Sequence, residues 1–418
     1  MIRTFSLQKI AVIGVFAAIF GVAAKAQAPV QDKLLNGLKV LMWSDPGAPK
    51  VNLKLRIHSG SAFDPQGKEG SMQLLADSLF PDPATKEFFT DDLGGSLNVV
   101  ANYDYIEIDA SAKADSASTM LETIANAVAN PQIDKDTTAK LRTALLARVT
   151  ALEADPAYVA DQAAAKRLLG TFPYGRPQMG SSTSVAKLEY ADVIDMKLRF
   201  LSADNATMTL SGNFERASTM RAIRRYFGPW LKADKKVPST FAQPEAPPIA
   251  LLTVTSPKTD SGALRFATRG VGRSGPNFAA AIVYAKVVEN RLKSLVPSSH
   301  AGDVFVRSEA YILPGTFTVG FSISGSDRTK AEANDIVPKA LTASITDAEF
   351  SSARSAAAAE WASRDVASFW LDMDTYRTTN PDADRHAFDK VQLSDVQAVA
   401  SLISTGGMVS VLVNSPAK

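Results

Sequence analysis

Residues 70–80 read Gly-Ser-Met-Gln-Leu-Leu-Ala-Asp-Ser-Leu-Phe. The apolar side chains at 74, 75, 79 and 80 recur at helical spacing, which predicts a short helix with one face packed in a core. Gln73, Ala76 and Asp77 stand at positions i, i+3 and i+4, so they share a second face of that helix. The chemistry of this second face depends on what the rest of the chain places beside it.

Length and composition predict a globular protein with more than one domain. The chain has 418 residues, of which 46% are hydrophobic. At roughly 100–200 residues per domain, two domains are expected. The chain contains no cysteine, which excludes disulfides, thiolate metal sites and cysteine nucleophiles. Burial of the core must therefore supply the stability.

The N-terminus has the pattern of a secretory signal. Arg3 and Lys9 flank or precede the apolar run 10–24, and Ala24-Lys25-Ala26 is an A-x-A cleavage sequence. We expect residues 1–26 to be removed and the mature protein to be periplasmic or secreted. The alternative is an uncleaved membrane anchor, although about 15 apolar residues are short for a span of about 20. No later segment is a candidate for a spanning helix.

The charge of the mature chain argues against a nucleic-acid partner. Loss of Arg3, Lys9 and Lys25 with the signal removes three positive charges, so the formal net charge falls from +2 to −1. Nucleic-acid binding depends on a basic surface, and no basic run occurs in the sequence. We therefore expect no nucleic acid as partner, and no membrane contact after signal cleavage.

A proline-rich segment divides the mature chain into two halves. Residues 235–249 contain four prolines and few apolar residues, which predicts a linker between 27–234 and 250–418. Each half begins with strand-like alternation, continues with helical periods and repeats this order. The predicted strands are 38–42, 51–57, 95–102, 105–112, 250–255 and 263–268, and the predicted helices include 116–129, 136–153 and 277–295. The fold class is therefore α+β, with two similar domains that are each a mostly antiparallel sheet packed by helices.

Seven short motifs follow one another in a fixed order through residues 33–230. They are Asn36-Gly37-Leu38, Gly60-Ser61 with Asp64, the segment 70–80, Leu93 to Asn98, Asp155-Pro156, Phe172 to Pro177 with Gly180, and Asn205 to Asn213. In this order they resemble the pitrilysin/insulinase family of inverted-motif zinc metallopeptidases, of the two-domain bacterial type similar to mitochondrial processing peptidase subunits. The second half fits this family more loosely. The resemblance implies that the two domains enclose a chamber that holds peptide.

The zinc-binding positions of that family are altered here. An H-x-x-E-H helix binds Zn²⁺ through both histidines, while its glutamate polarises the bound water. The resemblance places Gln73, Ala76 and Asp77 at these positions and Arg148 at the third ligand, with Glu153 as the alternative in a shifted register. It therefore implies a catalytically degenerate member without metal or cofactor, in which zinc is expected only in a partner subunit.

Two other interpretations of the polar residues remain open. Gln73 and Asp77 could form a weak site for a hard cation, although a pair at this spacing is more often a solvated hydrogen bond on a helix surface. His58, His300 and His386 have no paired spacing. They are expected to be surface residues or satisfied core residues rather than metal ligands.

The resemblance also implies where peptide would bind. Family members pair an extended peptide with a strand edge, which here corresponds to Asn98, Val99, Val100 and Ala101. The second half of the family commonly supplies an Arg and a Tyr that reach the substrate carbonyl. The positions nearest to them are Val296 and Phe305, with Arg307 and Tyr311 as candidates a few residues later. The alternative is that the strand containing residues 98–101 is only a structural part of the sheet and binds no peptide.

The expected function follows from these substitutions. We expect a non-catalytic, pseudo-peptidase subunit that binds peptide and completes the chamber of a zinc-bearing homologous partner. A stand-alone peptide-binding or scaffold protein on the same fold is the first alternative. An active zinc metalloendopeptidase is the second.

Overall fold

The computed structural model describes residues 28–233, 251–255, 262–296, 302–323 and 327–414. The predicted signal 1–26, the predicted linker 235–249 and His300 lie outside these ranges. Two sheets are formed, one on each side of the predicted linker. Among the helices of the described ranges, none combines the length and the apolar character that a bilayer crossing requires.

The first sheet has six strands. They are β1 (Val30–Lys33), β2 (Lys39–Ser44), β3 (Lys50–Ile57), β4 (Ser96–Ala101), β5 (Ile106–Lys113) and β6 (Ala206–Gly212). Their spatial order is β1-β2-β6-β3-β5-β4, and every neighbouring pair is antiparallel except β2 and β6. Strand β4 therefore lies at one edge of the sheet, as the first strand of a hairpin with β5.

The second sheet repeats this arrangement with five strands. They are β7 (Leu251–Thr255), β8 (Gly262–Arg269), β9 (Val304–Ala310), β10 (Pro314–Ile323) and β11 (Val409–Asn414). The order is β7-β11-β8-β10-β9, with β7 and β11 as the parallel pair. Strand β9 is thus placed in the second sheet as β4 is in the first. The predicted fold class of two similar α+β halves with mostly antiparallel sheets is confirmed.

Fourteen α-helices are described. In the first half they are α1 (Ser71–Asp77), α2 (Ala84–Asp91), α3 (Ala117–Ala129), α4 (Lys135–Glu153), α5 (Pro156–Leu169), α6 (Ser182–Val185), α7 (Tyr190–Phe200) and α8 (Arg216–Phe227). In the second half they are α9 (Phe278–Leu295), α10 (Asp327–Thr342), α11 (Asp347–Ala362), α12 (Val366–Tyr376), α13 (Pro381–Arg385) and α14 (Leu393–Thr405). The Asp155-Pro156 motif explains the start of α5. Asp155 accepts a hydrogen bond from the Ala157 N–H, and Pro156 occupies the first helical position.

Each half sends one helix across to the sheet of the other half. Helix α5 packs on β8 and β11 of the second sheet through small apolar residues, including Ala160 and Ala164. Helix α12 packs on β6 of the first sheet, and its contacts there are mostly charged. The two halves therefore meet through one apolar and one polar interface.

The polar interface contains a buried ion-pair network. Arg56 of β3 is 2% exposed and pairs with Asp372 of α12 at 2.8 Å. Asp372 also accepts from Arg273 and Arg364. Burial by itself would raise the pKa of Asp372, but the three guanidinium groups outweigh it and hold the pKa below its usual value. Because an unpaired buried charge is costly, this network favours one arrangement of the two halves.

Candidate functional site

Helix α1 is fixed at its N-terminus by a buried carboxylate. Gly70 begins the helix with a φ of 100°, and a Cβ at this position would lie 2.8 Å from the Met179 carbonyl oxygen. Asp64 accepts from the N–H groups of Gly70 and Met72 at 2.7 and 2.8 Å. Burial raises the pKa of Asp64 to about 7 against these hydrogen bonds. The motif residues around α1 therefore position the helix.

The structure brings three of the altered metal-binding positions into one cluster. The Gln73 amide donates to Asp77 Oδ1 at 2.9 Å, and the Arg148 guanidinium of α4 pairs with Asp77 Oδ2. Gln73 is 8% exposed. The expected hydrogen bond between Gln73 and Asp77 is present, but Gln73 is buried and not solvated as expected. Burial raises the pKa of Asp77, while Arg148 and Gln73 oppose that rise.

This cluster does not fit a zinc ion. Its only carboxylate is already paired with Arg148, and a guanidinium keeps its positive charge and cannot act as a ligand. Ala76 supplies only a methyl group at the position of the general base. Within the described residues, no group of three or more His, Cys, Asp or Glu side chains is placed to hold a metal.

The alternative third ligand has a different role. One carboxylate oxygen of Glu153 accepts from the Ser182 N–H at 2.9 Å, at the start of α6. This hydrogen bond satisfies one of the free donors of a helix N-terminus. Glu153 is therefore engaged at α6, and Arg148 is the side chain of α4 that contacts Asp77.

The described histidines are structural. His58 lies between the hydroxyl oxygens of Thr375 and Thr207, each 3.0 Å from a ring nitrogen. Burial lowers the pKa of His58 to about 4, with Arg56 acting in the same direction. His386 is exposed and contacts the Asp382 carbonyl oxygen. Both observations agree with the expectation for these two residues.

The outer edge of β4 presents free backbone groups. The Asn102 N–H donates to the Tyr105 carbonyl at 2.9 Å. Because hydrogen-bonded and non-hydrogen-bonded pairs alternate along an antiparallel ladder, Val100 and Asn98 also bond to β5. Leu97, Val99 and Ala101 therefore point their N–H and C=O groups away from the sheet. No strand of the described ranges pairs with that side.

The four residues predicted to bind peptide therefore divide into different roles. Val99 offers backbone groups, whereas Asn98 and Val100 turn theirs toward β5 and offer exposed side chains. The Ala101 carbonyl is already bound, because the Gln178 amide donates to it at 2.6 Å. The open part of the edge runs from Leu97 to Val99 and ends at Ala101.

A cavity of about 250 Å³ lies between the two halves, beyond the closed end of β4. Arg307 lines it and pairs with Asp161 at 3.0 Å. Tyr311 also lines it, with its ring centre 4.7 Å from that of Tyr174 and 5.1 Å from that of Tyr103. The structure thus brings Arg307 and Tyr311 to one cavity.

The two positions nearest to the expected Arg and Tyr lie elsewhere in the second half. Val296 ends α9. The Phe305 ring packs against the guanidinium groups of Arg265 and Arg307, at 4.8 and 4.4 Å. Neither side chain supplies the charge or the hydroxyl group that the resemblance would require at its position.

Sequence reasoning missed several residues that shape this region. The cavity is lined in part by Tyr103, Tyr174 and Gln178. Asp104 accepts a hydrogen bond from Tyr174, and Gln178 donates to the Ala101 carbonyl. Tyr174 was part of a recognised motif, but its partner lies 70 residues away in the chain. The run Tyr103-Asp104-Tyr105 between two strands was the available signal, since it places a carboxylate and aromatic rings at a hairpin tip.

Two family models match consecutive parts of the chain. Insulinase (Peptidase family M16) matches residues 39–182, and Peptidase M16 inactive domain matches residues 187–357. The chain belongs to the insulinase, or M16, peptidase family. The expected pitrilysin/insulinase relationship is confirmed, and the second M16 model begins inside the first half and continues through most of the second.

Curated relatives match about half of this chain. An uncharacterized zinc protease of Mycobacterium bovis is 23% identical over 210 residues, which is 49% of this chain and 48% of that protein. An uncharacterized zinc protease of Rickettsia bellii is 21% identical over 210 residues, 49% of this chain and 50% of that protein. The chain thus spans about half the length of the curated relatives it matches.

Solved structures share the M16 fold over nearly the whole chain. A peptidase M16 inactive domain from Pseudomonas fluorescens has a TM-score of 0.79 at 20% identity, covering 94% of this chain and 98% of that one. A Helicobacter pylori protease has a TM-score of 0.84 at 15% identity, covering 93% and 100%. A chain of complex III from Candida albicans has a TM-score of 0.73 at 18% identity, covering 92% and 95%. At these identities the likeness shows the fold alone.

Proposed function

We propose that this M16 chain is a non-catalytic subunit that binds peptide and completes the chamber of a zinc-bearing homologous partner. The observation that carries the proposal is the ion pair between Arg148 and Asp77. It places a fixed positive charge among the side chains where a peptidase of this family would hold its metal. A cation there repels Zn²⁺. Even without Arg148, the cluster would contain no histidine to bind the metal.

Peptide binding does not require the lost side chains. Addition of an extended peptide to a sheet edge depends on main-chain hydrogen bonds, which the open groups of Leu97 and Val99 can supply. The exposed side chains of Asn98 and Val100 then lie beside the added strand. Without a metal or a base, a peptide held there is bound and not cleaved.

The two halves of one chain pack against each other. Helices α5 and α12 each cover part of the opposite sheet, and the cavity between the halves measures about 250 Å³. We propose that a second subunit completes the peptide chamber beside the open edge of β4, and the predicted signal is that of a periplasmic or secreted assembly.

The experiment compares the mature chain with a variant that restores the motif. The purified wild-type chain is expected to contain less than stoichiometric zinc and to leave peptides intact. The variant carries Gln73→His, Ala76→Glu, Asp77→His and Arg148→Glu, and zinc in both proteins is measured by metal analysis. Zinc in the variant but not in the wild type supports the proposal, whereas stoichiometric zinc and chelator-sensitive cleavage by the wild type would sink it.

The partner is tested separately by copurification with a zinc-bearing M16 homologue from the same source. We expect an assembly whose interface buries well over about 1,000 Å². The second candidate function is a stand-alone peptide-binding scaffold, which the open edge of β4 favours because that edge needs no partner to bind a strand. A lone monodisperse chain that still binds peptide would support this second candidate.

A further inference from the structure

Two of the most exposed apolar side chains in the described residues are leucines from distant parts of the chain. Leu35 is 98% exposed in the turn between β1 and β2, and Leu231 is 77% exposed after the end of α8. Each follows a buried neighbour, Leu34 at 7% and Trp230 at 2%. The leucines therefore project from anchored segments.

The tertiary structure holds these two segments together. The Asn36 amide donates to the carbonyl oxygens of Phe227 and Trp230, at 2.7 and 2.9 Å. Asn36 is adjacent to Leu35, and Trp230 is adjacent to Leu231. The two leucines thus stand on one part of the surface, and the contacts of Asn36 fix their relative position.

Exposed cations lie on the segments next to the leucines. Lys33 precedes the turn, Arg221, Arg224 and Arg225 recur on one side of α8, and Lys232 follows Leu231. Three carboxylates lie near these cations. Asp32 pairs with Arg224 at 2.9 Å, Asp204 accepts from the Ala233 N–H at 2.9 Å, and Glu215 at the start of α8 interacts with Arg221. Five cations against three carboxylates leave an excess of positive charge on the segments next to the two leucines.

We propose that this surface, called here the Leu35–Leu231 surface, docks the protein peripherally on an anionic lipid bilayer. Leucine side chains gain from burial at the boundary of the acyl chains, and neighbouring Lys and Arg are attracted to anionic headgroups. A lipid surface fits better than a protein groove, because the leucines project singly from two turns and do not form a continuous apolar face. The proposal does not depend on peptide binding or on a partner subunit.

This proposal replaces the expectation of no membrane contact after signal cleavage. That expectation followed from removal of the signal and from the absence of a later segment that could span a bilayer. The cations here come from β1, α8 and the segment after α8, so they form a cluster only in the folded chain. Contact of this kind lies on the bilayer surface and needs no spanning helix.

The test is cosedimentation of the mature full chain with vesicles. One set contains phosphatidylglycerol and phosphatidylcholine, and the other contains phosphatidylcholine alone. We expect binding to the anionic vesicles, a fall of about tenfold or more in the double variant Leu35→Ser, Leu231→Ser, and a similar fall in Arg221→Glu, Arg225→Glu. Binding should also weaken at about 0.5 M salt, because salt screens exposed charges.

The matched control is Leu402→Ser, which removes a leucine that is 49% exposed on α14 in the other half. It should bind the anionic vesicles as the wild type does. Circular dichroism and thermal unfolding establish that every variant is folded. Equal binding of wild type and leucine variants, equal binding to neutral vesicles, or no binding to anionic vesicles would each overturn the proposal.

Discussion

Asp104 of the β4–β5 hairpin accepts a hydrogen bond from the backbone N–H of Ile312 in the β9–β10 hairpin, at 3.1 Å. The two hairpins occupy equivalent places in their sheets, so the two halves touch tip to tip. The Tyr174 hydroxyl donates to the other oxygen of Asp104 at 2.8 Å, and the Leu313 N–H donates to that hydroxyl at 3.3 Å. One buried carboxylate thus joins the edge hairpins of both halves.

Removal of the Tyr174 hydroxyl should weaken this junction. Tyr174→Phe leaves one oxygen of the buried Asp104 without its donor, and the Leu313 N–H without its acceptor. We expect a loss of about 1–3 kcal/mol in the free energy of unfolding, measured by urea denaturation. Tyr226→Phe is the control, because the Tyr226 hydroxyl makes only an exposed 3.5 Å contact. Equal stability of the two variants would contradict the prediction.

The pH dependence of stability should reveal the buried neutral state of His58. Its pKa is lowered to about 4 in the folded protein, against about 6.5 in an unfolded chain. The unfolded state therefore binds more protons between these values, so stability from this group is present above about pH 6.5 and is lost as the pH falls toward 4. The loss amounts to up to about 3 kcal/mol.

The check for His58 is the difference in unfolding free energy between wild type and His58→Gln across this pH range. Subtraction matters because Asp104, with its pKa raised by burial to about 6, changes stability in the opposite direction. Because the pKa of Asp104 is higher in the folded than in the unfolded state, its contribution to the unfolding free energy falls as the pH rises toward 6. We expect the wild-type advantage over His58→Gln to shrink as the pH falls, and a constant difference would refute the interpretation.

The pair of Arg148 and Asp77 should contribute only modestly to stability. Arg148 is 47% exposed at its side chain, and partly exposed ion pairs are weakened by solvent and salt. A double-mutant cycle with Arg148→Met and Asp77→Asn should give a coupling energy of about 0.5–1 kcal/mol at low salt. None of the three variants should bind zinc. A coupling energy near zero would contradict the predicted contribution of this pair to stability.

Two proline variants of β4 should separate peptide binding from sheet stability. The Val99 N–H points away from the sheet, so Val99→Pro removes no ladder bond to β5. It should reduce peptide affinity by about tenfold, equivalent to about 1.4 kcal/mol, while the protein stays folded. Val100→Pro removes an N–H that bonds to β5 and should destabilise the protein by about 1–3 kcal/mol. Fluorescence anisotropy of a labelled peptide and urea denaturation provide the two measurements.

Unchanged peptide affinity in the folded Val99→Pro variant would show that peptide does not pair with this edge. Similar destabilisation by both prolines would show that the assignment of inward and outward groups is wrong. Either result leaves the family membership and the missing zinc ligands as they are.

Much of the fold could be predicted because it is encoded locally. The four strands predicted in the first half are present, with bounds shifted by one or two residues. The helix predicted over 136–153 spans Lys135–Glu153, and Asp134 caps it by accepting from the Thr137 N–H. Strand β1 was missed, because four residues with a half-buried pattern carry little periodic signal.

The candidate site could be predicted only in part. Residue identities at 73, 76, 77 and 148 were the basis for the prediction that no zinc site forms here, which stays a prediction. They did not predict that Gln73 would be buried, that Arg148 would pair with Asp77, or that Gln178 would close the β4 edge at Ala101. Burial and pairing depend on how α1, α4 and β4 pack, which no short window of sequence contains.

The sequence by itself determined a repeated α+β chain of the M16 type and predicted that its metal-binding residues are replaced, since periodicity and residue type are local properties. Only the tertiary structure decided that α5 and α12 cross between the halves, that Asp104 meets Ile312, and that the turn before β2 is bound through Asn36 to the segment after α8. Each of these contacts joins residues far apart in the chain. Their formation depends on the packing of both sheets at once, because burial and hydrogen-bond satisfaction are settled by the whole fold.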